Sequence, residues 1–145
     1  MEEFVKELCD LLKIDPIPLI KEDGKYFGEN KRKFVTYKMN EDQCIHYIYK
    51  ENYKKHDYIE MARNVRYAWQ DRTDHDFYFG HIPDPSTITL HQYNMLDSTI
   101  DAIAFSNVVM KKIFDMNVST DYEEDAEAQE KYEGRVEELK KELGL

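Results

Sequence analysis

"YIEMARNVRYAWQ", Tyr58 to Gln70, has the rhythm of a helix and an unusual density of groups that do chemistry. Ile59, Ala62, Val65 and Trp69 recur at spacings of three and four, which gathers them on one helical face. Asp57 stands just ahead, where a capping side chain belongs, so a helix of roughly four turns is predicted over residues 57–70. An arginine, an asparagine and a tyrosine at 63, 64 and 67 interrupt what would otherwise be a plain amphipathic pattern.

The flanking stretches predict how that helix is housed. Phe4, Leu8, Leu11 and Leu12 recur at helical spacing, giving a first helix over residues 2–13. "DPIPLI" (15–20) ends it, because each proline restricts the residue before it to extended conformations. "KFVTYKM" (33–39) alternates as a strand does. "QCIHYIYK" (43–50) does so more clearly, with Ile45, Tyr47 and Tyr49 on one face and His46 and Ile48 on the other. "DRTDHDFYFGHIPDPSTITL" (71–90) reads as a loop, and a long ordered loop in a small domain is usually functional. Residues 91–116 read as a second long helix with Ile100, Ala104, Val108 and Ile113 on its buried side. Residues 117–145 read as a break followed by a charged helix. Its thin stripe of Tyr132, Val136, Leu139 and Leu143 either packs on the domain or faces a partner. The sum is an α+β fold, a small sheet packed against helices.

The 145 residues suffice for one domain with a real core, and 41% hydrophobic with 13% aromatic residues is too rich for a disordered chain. Thirty acidic against twenty basic residues give a formal net charge of −10, which speaks against direct nucleic-acid binding. That acidity serves solubility, or docking on something basic. The start, "MEEFVKELCDLL", is acidic and amphipathic, with neither a secretory core nor a membrane-length run. Cys9 and Cys44 read as small apolar fillers in a reduced, cytoplasmic protein that does not engage a membrane. No Gly-rich phosphate loop and no G-x-S-x-G elbow is present.

"MARNVRYAWQ" resembles the zinc helix of phage-associated metallopeptidases of the ImmA/IrrE-like zincin type, whose segment reads roughly A-H-E-L-R-H-x-W-Q. Ala62, Arg66, Ala68, Trp69 and Gln70 match around the site. Downstream, "FYFGHIPDPSTITLHQYNMLDSTIDAIAFSNVVM" is similar to the later region of that family, where an aromatic loop and a Y-N pair lead into an E-x-D-A-x-A-F-A helix. The resemblance implies a zincin-like minimal domain over residues 1–116, with an acidic helical tail over 117–145. In H-E-x-x-H, two histidines four apart bind one zinc and the glutamate polarises its water. Those three positions fall on Arg63, Asn64 and Tyr67. Arginine stays protonated, asparagine is no base, and tyrosine is a poor zinc ligand near neutral pH. The third-ligand glutamate falls on Thr99 and the family's aspartate on Asp101, so either every ligand is lost or one survives. The resemblance therefore implies a pseudo-metallopeptidase with no metal in the ancestral position. An Arg63–Asp101 bridge is expected where the zinc stood.

A relocated Zn2+ would have to draw on His56, His75, His81, His91, Cys44 and His46. None of these has C-x-x-C or H-x-x-x-H spacing, which favours reading them as surface or hydrogen-bonded side chains. A retained scaffold with an emptied centre acts by binding. The expected function is a non-catalytic phage or prophage accessory protein that docks on a basic surface of a host protein. An RNA-guided nuclease inhibited in anti-CRISPR fashion is the sharpest candidate. A peptidase with relocated ligands, or a structural or regulatory phage protein, is the alternative.

Overall fold

The computed structural model describes residues 1–30, 33–120 and 122–145. The fold is α+β, as expected, and it divides into two compact units, Met1–Trp69 and Gln70–Leu145. Among the described residues no helix is long and apolar enough to cross a membrane.

The first unit opens with α1, Glu2–Leu12, whose Glu2 and Glu3 sit at the positive end of the helix dipole. Lys13 closes it in the left-handed region (φ 56°, ψ 42°), and Ile14 N–H then reaches the Cys9 carbonyl at 3.1 Å. The buried stripe is Phe4, Val5, Leu8 and Cys9, while Leu11 and Leu12 in the last turn are only half-buried. The predicted helix is right, and its predicted face is displaced toward the N-terminus.

Three strands follow: β1 (Leu19–Glu22), β2 (Val35–Tyr37) and β3 (Ile45–Ile48). Their order is β1-β3-β2, with β1 parallel and β2 antiparallel to β3. Strand β1 was not foreseen, because "DPIPLI" reads as a stop. Pro18 nonetheless lends its carbonyl to Ile45 N–H at 2.9 Å, and an edge strand tolerates a neighbouring proline that has no N–H to give. Central β3 buries Ile45 and Tyr47 on one face and His46 on the other. Tyr49, expected to share the buried face, lies beyond the strand and is exposed.

Helix α2 spans Lys55–Phe79, and the boundary between the units falls within it. Asp57 sits in its first turn and reaches back to Lys54 N–H (2.8 Å), one half of a capping box. The helix runs past the expected end at residue 70, so much of the predicted 71–90 loop is helical. It is interrupted at Asp74 (φ −155°, ψ 71°), whose carboxylate accepts from Phe77 N–H at 3.3 Å and caps a renewed turn. Gly80 follows its last turn, where an added Cβ would lie 2.5 Å from the Asp76 carbonyl oxygen, so this close approach requires a glycine.

In the second unit a short 3₁₀ turn, Pro85–Thr87, is capped by Asp84, and α3, Leu90–Asn94, is held by a Thr89/Gln92 capping box. The single helix predicted over 91–116 is therefore two. Leu96 is extended (φ −62°, ψ 131°), and Asp97 opens α4, Asp97–Phe114. Helix α4 buries residues on every side between Ser98 and Met110, whereas Ile113 is half-buried. Helix α5, Ala126–Glu142, is capped by Asp125 on Ala128 N–H (3.1 Å). The break before it is as predicted, although Asp121 lies outside the described residues.

Ile100, Tyr122 and Ala128 form a small core, with Met95, Ile103 and Tyr132 packed on it. The acidic tail thus belongs to the same unit as α4, and the composition shift at residue 117 marks a change of surface within that unit. Leu139 is fully buried, while Leu143 is half-buried at the helix end. Leu139→Ala is expected to cost about 3 kcal/mol and Leu143→Ala under about 1 kcal/mol, measured by urea unfolding.

Candidate functional site

The positions that the resemblance singled out divide between the units. Arg63, Asn64 and Tyr67 lie on α2 in the first unit, and Thr99 and Asp101 lie on α4 in the second.

In the first unit, Asn64 has a structural task. Lys38 N–H bonds the Cys44 carbonyl and Ile48 N–H bonds the Phe34 carbonyl, so even-numbered residues along β2 face β3. Odd-numbered Tyr37 therefore points its N–H outward, and Asn64 Oδ1 accepts it at 2.9 Å. The Asn64 amide donates in turn to the Glu60 carbonyl (2.9 Å), which fixes the side chain along its own helix. Asn64 thus acts as a clamp on an edge strand. Arg63 Nη1 lies 3.3 Å from Glu60 Oε1, and both Arg63 and Tyr67 are half-buried. Arg66 is almost wholly buried, with its guanidinium 3.5 Å from the centre of the Trp69 ring.

In the second unit, Thr99 and Asp101 are both buried. Both Asp101 oxygens are engaged: Oδ1 accepts from Arg135 Nε and Oδ2 from Gln70 Nε2, each at 2.8 Å. Gln70 also donates to the Ser98 carbonyl at 3.0 Å, and its own Oε1 is buried with no partner among the described residues. Arg135 Nη1 reaches Glu138 (2.7 Å) and Glu142 (3.2 Å). Burial opposes the charge on Arg135, but Asp101 and the two glutamates outweigh it and hold its pKa above the ordinary arginine value. Asp101, for which the sequence pointed to Arg63, has Arg135 as a charged partner. The one available signal for this was an arginine inside the thin apolar stripe of α5, beside Tyr132, Val136 and Leu139. The Arg63–Asp101 bridge would join residues of different units and stays an expectation.

The candidate relocated ligands are scattered. His56 and His81 are exposed, and His75 pairs with Asp71 one turn earlier on α2. Among the described residues no group of three or more histidine, cysteine and acidic side chains is placed to hold a metal ion. The other two histidines are each bracketed by carboxylates. His46 places Nδ1 2.7 Å from Glu22 and Nε2 2.6 Å from Asp42, with its ring stacked on Tyr26 at 8° between planes. Cys44 lies beside this cluster, with Sγ 3.3 Å from the Asp42 carbonyl oxygen. His91, on α3, meets Asp125 at 2.9 Å and Glu127 at 3.3 Å.

An imidazole flanked at both nitrogens by carboxylates satisfies both only as the imidazolium, which leaves no lone pair for a metal. Burial pushes the pKa of His46 down, but its bonds to Glu22 and Asp42 outweigh that and raise it above the ordinary 6.5. For the half-exposed His91, Asp125 is the main cause of a shift in the same direction.

Between α3 and the start of α5 lies a cleft of about 710 Å³, lined by Leu90, His91, Glu123, Glu124, Asp125 and Glu127 among others. A second of about 430 Å³ adjoins it, sharing Thr120, Glu123 and Ala126 and adding Glu130 and Glu133. Among the described residues no lysine or arginine lines either. Comparison with protein-family models, with curated proteins and with solved structures finds no match to this chain.

Arg135→Met would leave Asp101 buried without its guanidinium, at an expected cost of about 3 kcal/mol in urea unfolding. The double variant Arg135→Met/Asp101→Leu should recover much of that loss, since it removes both charges. His46 gives a pH signature. Its raised pKa means that its stabilisation is complete below pH 6.5 and is lost as pH rises through the folded value. The carboxyl of Asp42, despite burial acting the other way, is held below its ordinary 3.8 by Cys44 N–H and His46, so its contribution is lost as pH falls through that lower value. The stability difference between the wild type and His46→Gln should therefore shrink on the alkaline side, tracking the His46 titration followed by NMR.

Proposed function

We propose that the chain acts by binding: a non-catalytic accessory protein of the phage or prophage type that offers its acidic groove to a basic, nucleic-acid-binding surface of a host protein. The observation that carries this reading is the pair of adjoining clefts between α3 and α5, rimmed by Glu123, Glu124, Glu127, Glu130 and Glu133 with no lysine or arginine among their described lining residues. Twenty lysines and arginines occur in the chain, so their absence from this lining sets the groove apart from the rest of an already acidic surface.

Charge of one sign in a concave wall focuses its field and speeds encounter with an oppositely charged partner. Leu90, 75% exposed and part of the same lining, offers an apolar contact beside these carboxylates. A groove of this kind competes for the lysines and arginines that otherwise hold nucleic-acid phosphates. The channel of an RNA-guided nuclease is the surface that best matches it, which would make the chain an inhibitor of anti-CRISPR type. Such a role places it in the cytoplasm of a bacterial host. The vestigial set at Arg63, Asn64, Tyr67, Thr99 and Asp101 supports the reading from the other side, since three of these types cannot ligate zinc or activate water as the family's residues do.

Affinity capture from host lysate, run with the wild type and with Glu123→Lys/Glu124→Lys/Glu127→Lys, tests the proposal. All three glutamates are exposed, so the variant should keep the fold. A basic partner should be retained by the wild type at low salt. Its binding should weaken by roughly tenfold or more at high salt and on charge reversal. Capture indifferent to both changes would contradict acidic docking, and zinc-dependent turnover of a peptide substrate would favour the peptidase alternative.

A further inference from the structure

The first unit contains a cleft that the docking proposal does not use. It measures about 390 Å³ and is lined by Met1, Glu2, Glu3, Lys21, Tyr47, Tyr49 and Tyr53. Three phenol rings and two carboxylates thus meet around one concavity, the composition that stabilises an organic cation: negative ring faces with anionic groups beside them.

The walls differ in how firmly they are held. Tyr47 is buried, and its hydroxyl donates to Glu2 Oε1 at 3.2 Å, which ties the floor of the cleft to the first turn of α1. The Tyr53 hydroxyl accepts from Lys50 N–H at 3.2 Å, which fixes the ring at the end of β3. Burial keeps both phenols neutral to a higher pH than usual, so neither supplies an anion of its own. Tyr49 is 60% exposed and is the wall an incoming group would meet first.

A second observation points to what the cleft takes. Lys21, an exposed residue of β1, holds its ammonium 5.1 Å from the centre of the Tyr49 ring. The chain already places a primary ammonium against this wall. It does so from a long flexible side chain that gives way readily, because an exposed lysine loses little by returning to water.

We infer that the Glu2–Glu3–Tyr47–Tyr49–Tyr53 cleft is a binding site for an alkylammonium group, a lysine or N-methylated lysine side chain of a protein partner, with Lys21 as the resident cation it displaces. N-methylation favours binding by this chemistry, since it spreads the charge over a surface that packs on rings and is easier to remove from water than a bare ammonium. The inference rests on the first unit alone and stands or falls separately from the acidic groove between α3 and α5.

The test is an NMR titration of the full chain, following tyrosine ring signals, with three probes: the amide of N-acetyl-trimethyllysine, that of unmodified N-acetyl-lysine, and a neutral tert-butyl isostere of the trimethyl compound. Saturable shifts at Tyr49 and Tyr53 are expected with both cations, strongest for trimethyllysine and at least tenfold weaker for the neutral probe. Tyr49→Ala should abolish the response and Tyr49→Phe should keep it, because the ring face and not the hydroxyl does the binding. Lys21→Met should tighten binding several-fold by removing the competing ammonium. Equal affinity for the neutral isostere would overturn the assignment, as would shifts spread over the acidic surface without saturating at these tyrosines. Lys21→Met leaving the affinity unchanged would remove the displacement step and with it the proposal as stated.

Discussion

A buried carboxylate must have a partner, and in this chain the demand falls on Asp101. It stands in the second turn of α4, which is buried on every side between Ser98 and Met110, and its oxygens are met by Arg135 from α5 and by Gln70. The guanidinium comes from the one stretch that composition alone would class as a solvated tail. Once Arg135 is committed to Asp101, α5 must lie along α4, and Ala128, Tyr132 and Leu139 follow it into the core. The acidic groove depends on that docking, because one wall is α3 and the other is the segment that leads into α5.

Polar fixings repeat the same arrangement along the helix. Lys131 bonds the Met95 carbonyl at 2.6 Å and pairs with Asp97 at 2.9 Å, and Asn107 donates to the Tyr132 hydroxyl at 2.7 Å. At the N-terminus of α5, Asp125 caps its own helix and also meets His91 and Asn94 from α3. A helix with so thin an apolar stripe would be marginal by burial alone. Hydrogen bonds to charged groups are worth more than neutral ones, and here several of them converge on one contact.

Much of the architecture was legible in the sequence, and what was missed has local causes. Helix α1, strands β2 and β3 and the course of α2 through residue 70 follow from apolar periodicity, which is robust where burial is one-sided. Strand β1 escaped notice because four residues behind a proline carry almost no period, and its pairing is set by β3. The extension of α2 was hidden by aspartates at 71, 74 and 76. Asp71 pairs with His75 and Asp74 caps a fresh turn, so residues that usually break helices here continue one. The start of α3 had its cue in Thr89 and Gln92, a capping box that opens a helix too short for periodicity to reveal, and the break from α4 falls at the extended Leu96. At the candidate site, the departures of Arg63, Asn64 and Tyr67 from the resembled motif could be read directly. The present tasks of the site's residues could not, since Asn64 serves a strand 27 residues away and Asp101 a helix 34 residues away.

The groove, and the docking proposed for it, require α5 to be an integral part of the second unit. Native-state hydrogen exchange of the free chain tests this most directly. Amides from Tyr132 to Leu139 should be protected to the same degree as those of α4, opening only with the unit as a whole. Rapid exchange along α5 while α4 stays protected would show the tail to be a loosely held extension, and the groove would have no second wall.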